Sequence, residues 1–254
     1  MSEPVYHVVG SYMSPYVRKV LVCLGHKGLR YTIDPIAPFL GGDEFEKLSP
    51  LRRVPVLVDG ARVINDSSVI CQYLEDRHPT PSLYPADIGE RAQARWLEEY
   101  ADARLGEVII ARMFYQRGPK RFLFKEEVDE ASFNRARDVE LPACLDWLEP
   151  QMPQMPQDGY LLGALSIADI AIASFLRNAA LVRFEVDAGR WPRTAAWLQR
   201  MFALPEFARL IRIEEAIARV PPPEQAQVLR ALGEPVTEAT LGTSTARKGV
   251  MRLD

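Results

Sequence analysis

The chain has 254 residues, 48% of them hydrophobic, enough for one large domain or two small ones with a full core. Its 31 Lys and Arg against 34 Asp and Glu leave a formal net charge of −3, so no overall basic field exists to gather nucleic acid or an anionic membrane surface. The three cysteines, Cys23, Cys71 and Cys144, are widely spaced in apolar helical patterns, which suits a reducing compartment rather than a disulfide framework. The start, MSEPVYHVVG, lacks a basic segment joined to a long apolar one, and no apolar stretch reaches the roughly 18 residues that span a bilayer. The expectation is a cytoplasmic protein that partners with neither nucleic acid nor membrane.

In chain order, the apolar run Val5 to Val9 reads as a strand, and Val17, Val20, Leu21 and Leu24 follow at helical spacing. His26 and Lys27 in the last turn and Gly28 just beyond favour a helix end there. LRYTIDPI reads as a second strand, and a strand-helix-strand of this size prefers a parallel, right-handed crossover. VPVLVDGARVI has two β-rich runs around Asp59-Gly60, a hairpin signal, so the sheet becomes mixed. NDSSVICQYLEDRHP starts on Asp and Ser, carries Val69, Ile70, Tyr73 and Leu74 on one face, and stops at Pro79, as a helix should.

The turn-rich stretch PTPSLYPADIG separates this α/β unit from a purely helical remainder. Helical patterns run over residues 88 to 117 and 125 to 150, with Pro142 expected to kink or split the second. LSIADIAIASFL is apolar almost all round, as befits a helix at the centre of a bundle. Ser166 and Asp169 form its capping box, with Leu165 and Ile170 as staple. Two shorter helices, near 191 to 203 and 205 to 219, close the domain before VPPPE. The boundaries drawn from this are 1–80 for the α/β domain, 81–87 for the linker, 88–219 for the helical domain and 220–254 for a C-terminal extension. That extension has a weak amphipathic piece around Val228, Leu229 and Leu232 and is otherwise polar.

Four segments occur in order: SPYVRKV after the first strand, LSPLRRVPVL at 48 to 57, NDSSVICQYLED in the third helix and SIADIAIAS in the helical domain. Through them, residues 4 to 219 resemble a cytosolic glutathione S-transferase of the serine type. The resemblance implies an α/β thioredoxin-like N-terminal domain with a mixed four-stranded sheet, followed by an all-α helical bundle. It also implies a homodimer with glutathione as co-substrate, a small hydrophobic electrophile as second substrate, and no metal.

Chemistry can be attached residue by residue. A free thiol with a pKa near about 8.5 is only slightly ionised at neutral pH, so a site using glutathione as nucleophile gains by stabilising the thiolate. Ser14 precedes Pro15, which is suited to the first helical position, so by itself Ser14 is a helix N-cap. The resemblance adds the role of thiolate donor. In the family this position is Ser in one group of classes and Cys in another, and Ser cannot form the mixed disulfide that Cys would. Val54-Pro55 could pair an extended peptide through the Val54 main chain, and in the family this proline is cis. Arg53 falls where the family often has a basic residue, facing the glycyl carboxylate.

A helix N-terminus is a carboxylate site, and Asp66-Ser67 opens the third helix. The family holds the γ-glutamyl end there, Ser67 donating to the carboxylate and Asp66 accepting from the ammonium. Tyr12 is read as pocket wall, Cys23 as core, and Arg18 as either a support of the site or a solvated side chain. Met113 and its aromatic neighbours in RMFYQRG are read as core more readily than pocket.

The expected activity is conjugation of the glutathione thiol to small electrophiles, with a peroxidase side activity sharing the site. Two alternatives stand: a binding or interaction module with little turnover, suggested by the long extension, and a specialised glutathione-dependent lyase or dehalogenase.

Overall fold

A computed structural model of the protein describes residues 5–154 and 159–248. They group into two compact units, residues 5–81 with 205–248, and residues 82–154 with 159–204.

The first unit is built on β1 (Tyr6–Val9), α1 (Pro15–His26), β2 (Tyr31–Asp34), α2 (Asp43–Leu48), β3 (Val56–Asp59), β4 (Arg62–Asn65) and α3 (Ser67–Arg77). The sheet order is β2-β1-β3-β4, with β1 parallel to β2 and antiparallel to β3. The crossover helix α1 thus sits between parallel neighbours, and Asp59-Gly60 turns the hairpin with Gly60 at φ +60°. Every residue of α1 from Val17 to Leu24 is buried, including Arg18 and Lys19. The helical spacing of apolar residues described only part of that burial, since it left out Arg18 and Lys19.

Arg18 shows how. Its Nε donates to Glu214 Oε1 at 2.5 Å, with both side chains shut off from solvent. Glu214 belongs to α9 (Pro205–Ile217), which therefore groups with the first unit. This corrects the boundary of 88–219 drawn for the helical domain. Residues 205–219 and the described part of the extension pack with the sheet, because a buried arginine on α1 requires its carboxylate there. Arg18 is accordingly neither solvated nor a bystander.

The extension forms α10 (Pro222–Ala231), with Leu229 fully buried, and then runs along the free edge of β2. Ile33 N donates to Pro235 O and Thr237 N donates to Ile33 O, both at 2.9 Å, giving a parallel bridge between Ile33 and Val236. Asp34 then accepts from Thr240 Oγ1 at 2.8 Å and Leu241 N at 2.7 Å. An otherwise open edge strand is covered by the chain's own end.

The second unit is helical, with an isolated bridge between Leu162 and Ala164 as its β pairing among the described residues. α4 (Ile88–Tyr100) continues with wider, π-type turns over Ala101–Phe114 and Gln116–Leu123. α5 (Glu130–Arg135) and α6 (Leu141–Leu148) are joined by another wide segment, Ala136–Glu140. Pro142 stands in the first turn of α6, where its missing N–H is tolerated, so the expected kink appears as a change of turn width just before it. α7 (Ile167–Leu181) buries thirteen of its fifteen residues, as its all-round apolarity implies. Glu149 accepts from Arg193 N at 2.9 Å and Thr194 N at 3.0 Å, closing the start of α8 (Pro192–Ala203). Met113 and Tyr115 are buried within this unit. Among the described residues no helix is long and apolar enough to cross a membrane.

Candidate functional site

Strand register brings the motifs together. Val56 lies between Val9 on β1 and Asn65 on β4, in one row across the sheet. The residues one step beyond that row are Gly10 at the end of β1, Pro55 at the start of β3 and Asp66 at the end of β4. Adjacent strands are about 4.8 Å apart, so three segments distant in sequence stand side by side at one end of the sheet. Both α1 and α3 begin there, each directing the positive end of its dipole toward that end.

Gly10 makes the junction possible. It has φ +152°, and a Cβ on it would lie 2.5 Å from Val17 Cγ2 and 3.1 Å from Val54 Cβ. Only a glycine lets the strand end, the first turn of α1 and the Val54-Pro55 segment approach this closely. Gly10→Ala is expected to cost about 1–3 kcal/mol from overpacking and strain, visible as a lowered midpoint in thermal unfolding.

Ser14 is the N-cap of α1, with extended backbone, φ −83° and ψ 129°, and half-buried. Its Oγ accepts from Val17 N at 3.4 Å, and its carbonyl accepts from Arg18 N at 2.9 Å. A hydroxyl that caps a helix uses a lone pair and keeps its proton. Capping and donation to sulfur are therefore compatible in one side chain. Three residues earlier, buried Ser11 accepts from Met13 N at its Oγ, 3.2 Å, and from Ser14 N at its carbonyl, 3.0 Å. This second hydroxyl in the same turn was not singled out in the sequence, where its pairing with Ser14 as Ser-x-x-Ser was the available signal.

Val54 is largely buried and precedes a cis peptide bond to Pro55. It stands outside the β3 ladder, and its main-chain N–H and C=O enter no hydrogen bond among the described residues. Arg53 has its main chain tied to Ser49, whose Oγ accepts from Arg53 N at 3.0 Å and donates to Arg53 O at 2.8 Å, while its side chain is exposed. Its neighbour Arg52 has φ +51° and a guanidinium whose Nε and Nη2 are shielded from solvent without a hydrogen-bond partner.

Asp66 caps α3, its Oδ1 accepting from Ser68 N at 2.9 Å and Val69 N at 3.2 Å. Its φ of +74° is costly for a residue other than glycine and sits at the site, as stored strain often does. Ser67 is the first helical residue and is buried. Fully buried Lys19 on α1 donates from Nζ to Ser68 Oγ at 3.0 Å, adding a cation between the two helix starts that sequence reading did not include.

Tyr12 is a correction: it is almost wholly buried rather than a pocket wall, and its hydroxyl donates to Glu234 Oε2 at 2.8 Å. Burial, with the Glu234 carboxylate beside it, drives its pKa far up, so it stays protonated. Cys23 is core, with its Sγ 3.5 Å from that of Cys71.

Similarity to known proteins agrees with this arrangement. A model described as "Glutathione S-transferase, N-terminal domain" matches residues 8–82, and one described as "Glutathione S-transferase, C-terminal domain" matches residues 98–200. Glutathione S-transferase Z1 of Arabidopsis thaliana is 42% identical over 83 residues, 31% of this chain and 37% of that protein, so this match spans little more than a third of the relative. Among solved structures, a glutathione S-transferase from Rhodospirillum rubrum F11 superposes with a TM-score of 0.76 at 25% identity, covering 88% of this chain and 99% of that one. A glutathione S-transferase from Methylobacterium radiotolerans JCM 2831, solved in complex with glutathione sulfonate, has a TM-score of 0.65 at 26% identity and covers 81% and 94%. With both domain models matched in order over more than half its length, and the sheet order and helical unit in agreement, the chain belongs to the glutathione S-transferase family.

Proposed function

We propose that the protein binds glutathione along the row formed by Gly10, Pro55 and Asp66, and transfers its thiol to a small hydrophobic electrophile. The observation that carries this reading is the register Val9–Val56–Asn65, which aligns the starts of α1 and α3 with the unbonded main chain of Val54. The peptide extends against Val54. Ser67, through its hydroxyl and its main-chain N–H, takes the γ-glutamyl carboxylate, the Asp66 oxygen not used in capping takes the ammonium, and Arg53 takes the glycyl carboxylate. The sulfur meets the Ser14 hydroxyl at the mouth of α1.

Thiolate stabilisation sets the scale. Hydrogen bonds to charged groups are worth about 1.5–3 kcal/mol, so Ser14→Ala is expected to lower kcat/KM roughly 10- to 100-fold and to raise the pKa of bound glutathione. Rates over a panel of electrophiles measure the first, ultraviolet titration of the bound thiol the second, and calorimetry shows whether glutathione is bound at all. Ser11→Ala run in parallel assigns the donor: if it alone carries the loss, Ser11 and not Ser14 meets the sulfur. A chain that does not retain glutathione would sink the reading, and one that binds it without turnover would be a binding module.

The functional unit is proposed to be a homodimer. Leu51 and Val69 leave large apolar side chains 71% and 53% exposed on the first unit, and light scattering reads the mass directly. Three buried, reduced cysteines accord with a cytoplasmic location.

A further inference from the structure

Tyr12 lies between the two serines of the β1–α1 turn, yet its side chain turns into the unit and ends on the C-terminal extension. Its hydroxyl donates to Glu234 Oε2 at 2.8 Å, across 222 positions of sequence. Arg209 of α9 donates from Nη2 to the same carboxylate oxygen and to Tyr31 Oη, the latter at 3.0 Å. The Glu234 side chain is only 7% exposed, so a carboxylate has been taken out of water to hold one phenol and one guanidinium.

Glu234 is itself fixed from both sides. Its N–H donates to Leu229 O at 3.0 Å in the turn that ends α10, where Gly233 has φ +81°. The next residues bridge to the edge of β2 through Pro235 O and Thr237 N, both bonded to Ile33. The carboxylate is thus held rigidly by a helix end on one side and a strand edge on the other. By contrast, the Ser11–Ser14 turn has two internal hydrogen bonds, Met13 N to Ser11 Oγ and Ser14 N to Ser11 O. The first turn of α1 also bonds to Ser14, through Val17 N to its Oγ and Arg18 N to its carbonyl, and the Tyr12 side chain adds an attachment to the extension.

We propose that Glu234 is a positioning residue for the Ser11–Ser14 turn. Acting through Tyr12, and held in place by Arg209, it keeps the hydroxyl that meets the glutathione sulfur where it can donate. A donor must be held to within about 0.5 Å to act at full strength. The extension is then part of the catalytic apparatus of the first unit, and its role in activity rests on the glutathione reading proposed above.

The test separates the anchoring from that reading. Amide hydrogen exchange of the full-length protein, without ligand, follows residues 11–14 against α3 as internal reference. Glu234→Ala and Tyr12→Phe are each expected to accelerate exchange in the turn about tenfold or more, leaving α3 unchanged, and the double variant is expected to be no faster than either single one. Glu234→Gln keeps an acceptor for the phenol and should restore much of the protection. In glutathione turnover the same substitutions should lower kcat several-fold with little change in KM for glutathione, and the glutamine variant should recover. Unchanged exchange in the turn in both Glu234→Ala and Tyr12→Phe overturns the proposal, as do additive effects in the double variant. A wild-type protein that ignores glutathione defeats the functional reading, while the exchange data still decide whether Glu234 holds the turn.

Discussion

Replacing Glu214 by alanine is expected to destabilise the first unit by about 3–5 kcal/mol, the cost typical of removing one member of a buried ion pair. Arg18 and Glu214 are both fully buried, and the Nε to Oε1 distance is 2.5 Å. The alanine leaves the guanidinium facing a void where a carboxylate had offset its lost hydration. The denaturation midpoint in urea should fall with an unchanged slope. The companion experiment is the double replacement Arg18→Met with Glu214→Leu. Two apolar side chains of similar bulk need no partner, so the double variant should recover most of the loss. A Glu214→Ala protein as stable as wild type would mean that the pair is not shut off from water. Because Arg18 N also donates to Ser14 O, the single variant should lower turnover as well.

Asp169→Ala is expected to cost more than about 3 kcal/mol in the second unit, since each buried donor left unsatisfied costs about 1–3 kcal/mol. The carboxylate receives Leu161 N at 2.9 Å and Trp197 Nε1 at 2.9 Å on Oδ1. On Oδ2 it receives Ser166 N at 3.1 Å and Ser166 Oγ at 2.9 Å. Burial pushes this carboxyl up from the usual range, and the four donors pull it back. One side chain thus starts α7, fastens the preceding loop and anchors α8 through Trp197. Thermal unfolding followed by the Trp197 environment should show a midpoint lower by about 6 °C or more. A shift within experimental error would show that the capping box is dispensable. Asp169→Asn, which keeps one acceptor and turns an amide toward the other donors, should fall between the two.

What could be read directly from the residues depended on short range. The crossover from β1 to β2, the Asp59-Gly60 hairpin, the Ser166 and Asp169 capping box and the Ser14-Pro15 helix start each rest on groups within a few positions of one another. Their hydrogen bonds are nearly dictated once the local chain folds. The same holds for Asp66 at the head of α3. Locally the candidate site residues read as helix caps and a strand entrance, and their roles toward glutathione came from the family resemblance.

The order of elements, the division into an α/β part and a helical part, and the residues able to cap α1 and α3 all follow from local patterns in the chain. The partners of the buried charges and the path of the described part of the extension emerge only on folding. Arg18 and Glu214 are 196 positions apart, and Tyr12 and Glu234 are 222 apart. From the residues alone Arg18 reads as either a support of the site or a solvated side chain, Tyr12 as a pocket wall, and the extension as polar apart from one weak amphipathic piece. Burial in the folded unit turns them into pairs, because a charge removed from water is tolerated only beside its complement, and that complement is chosen by packing rather than by spacing along the chain.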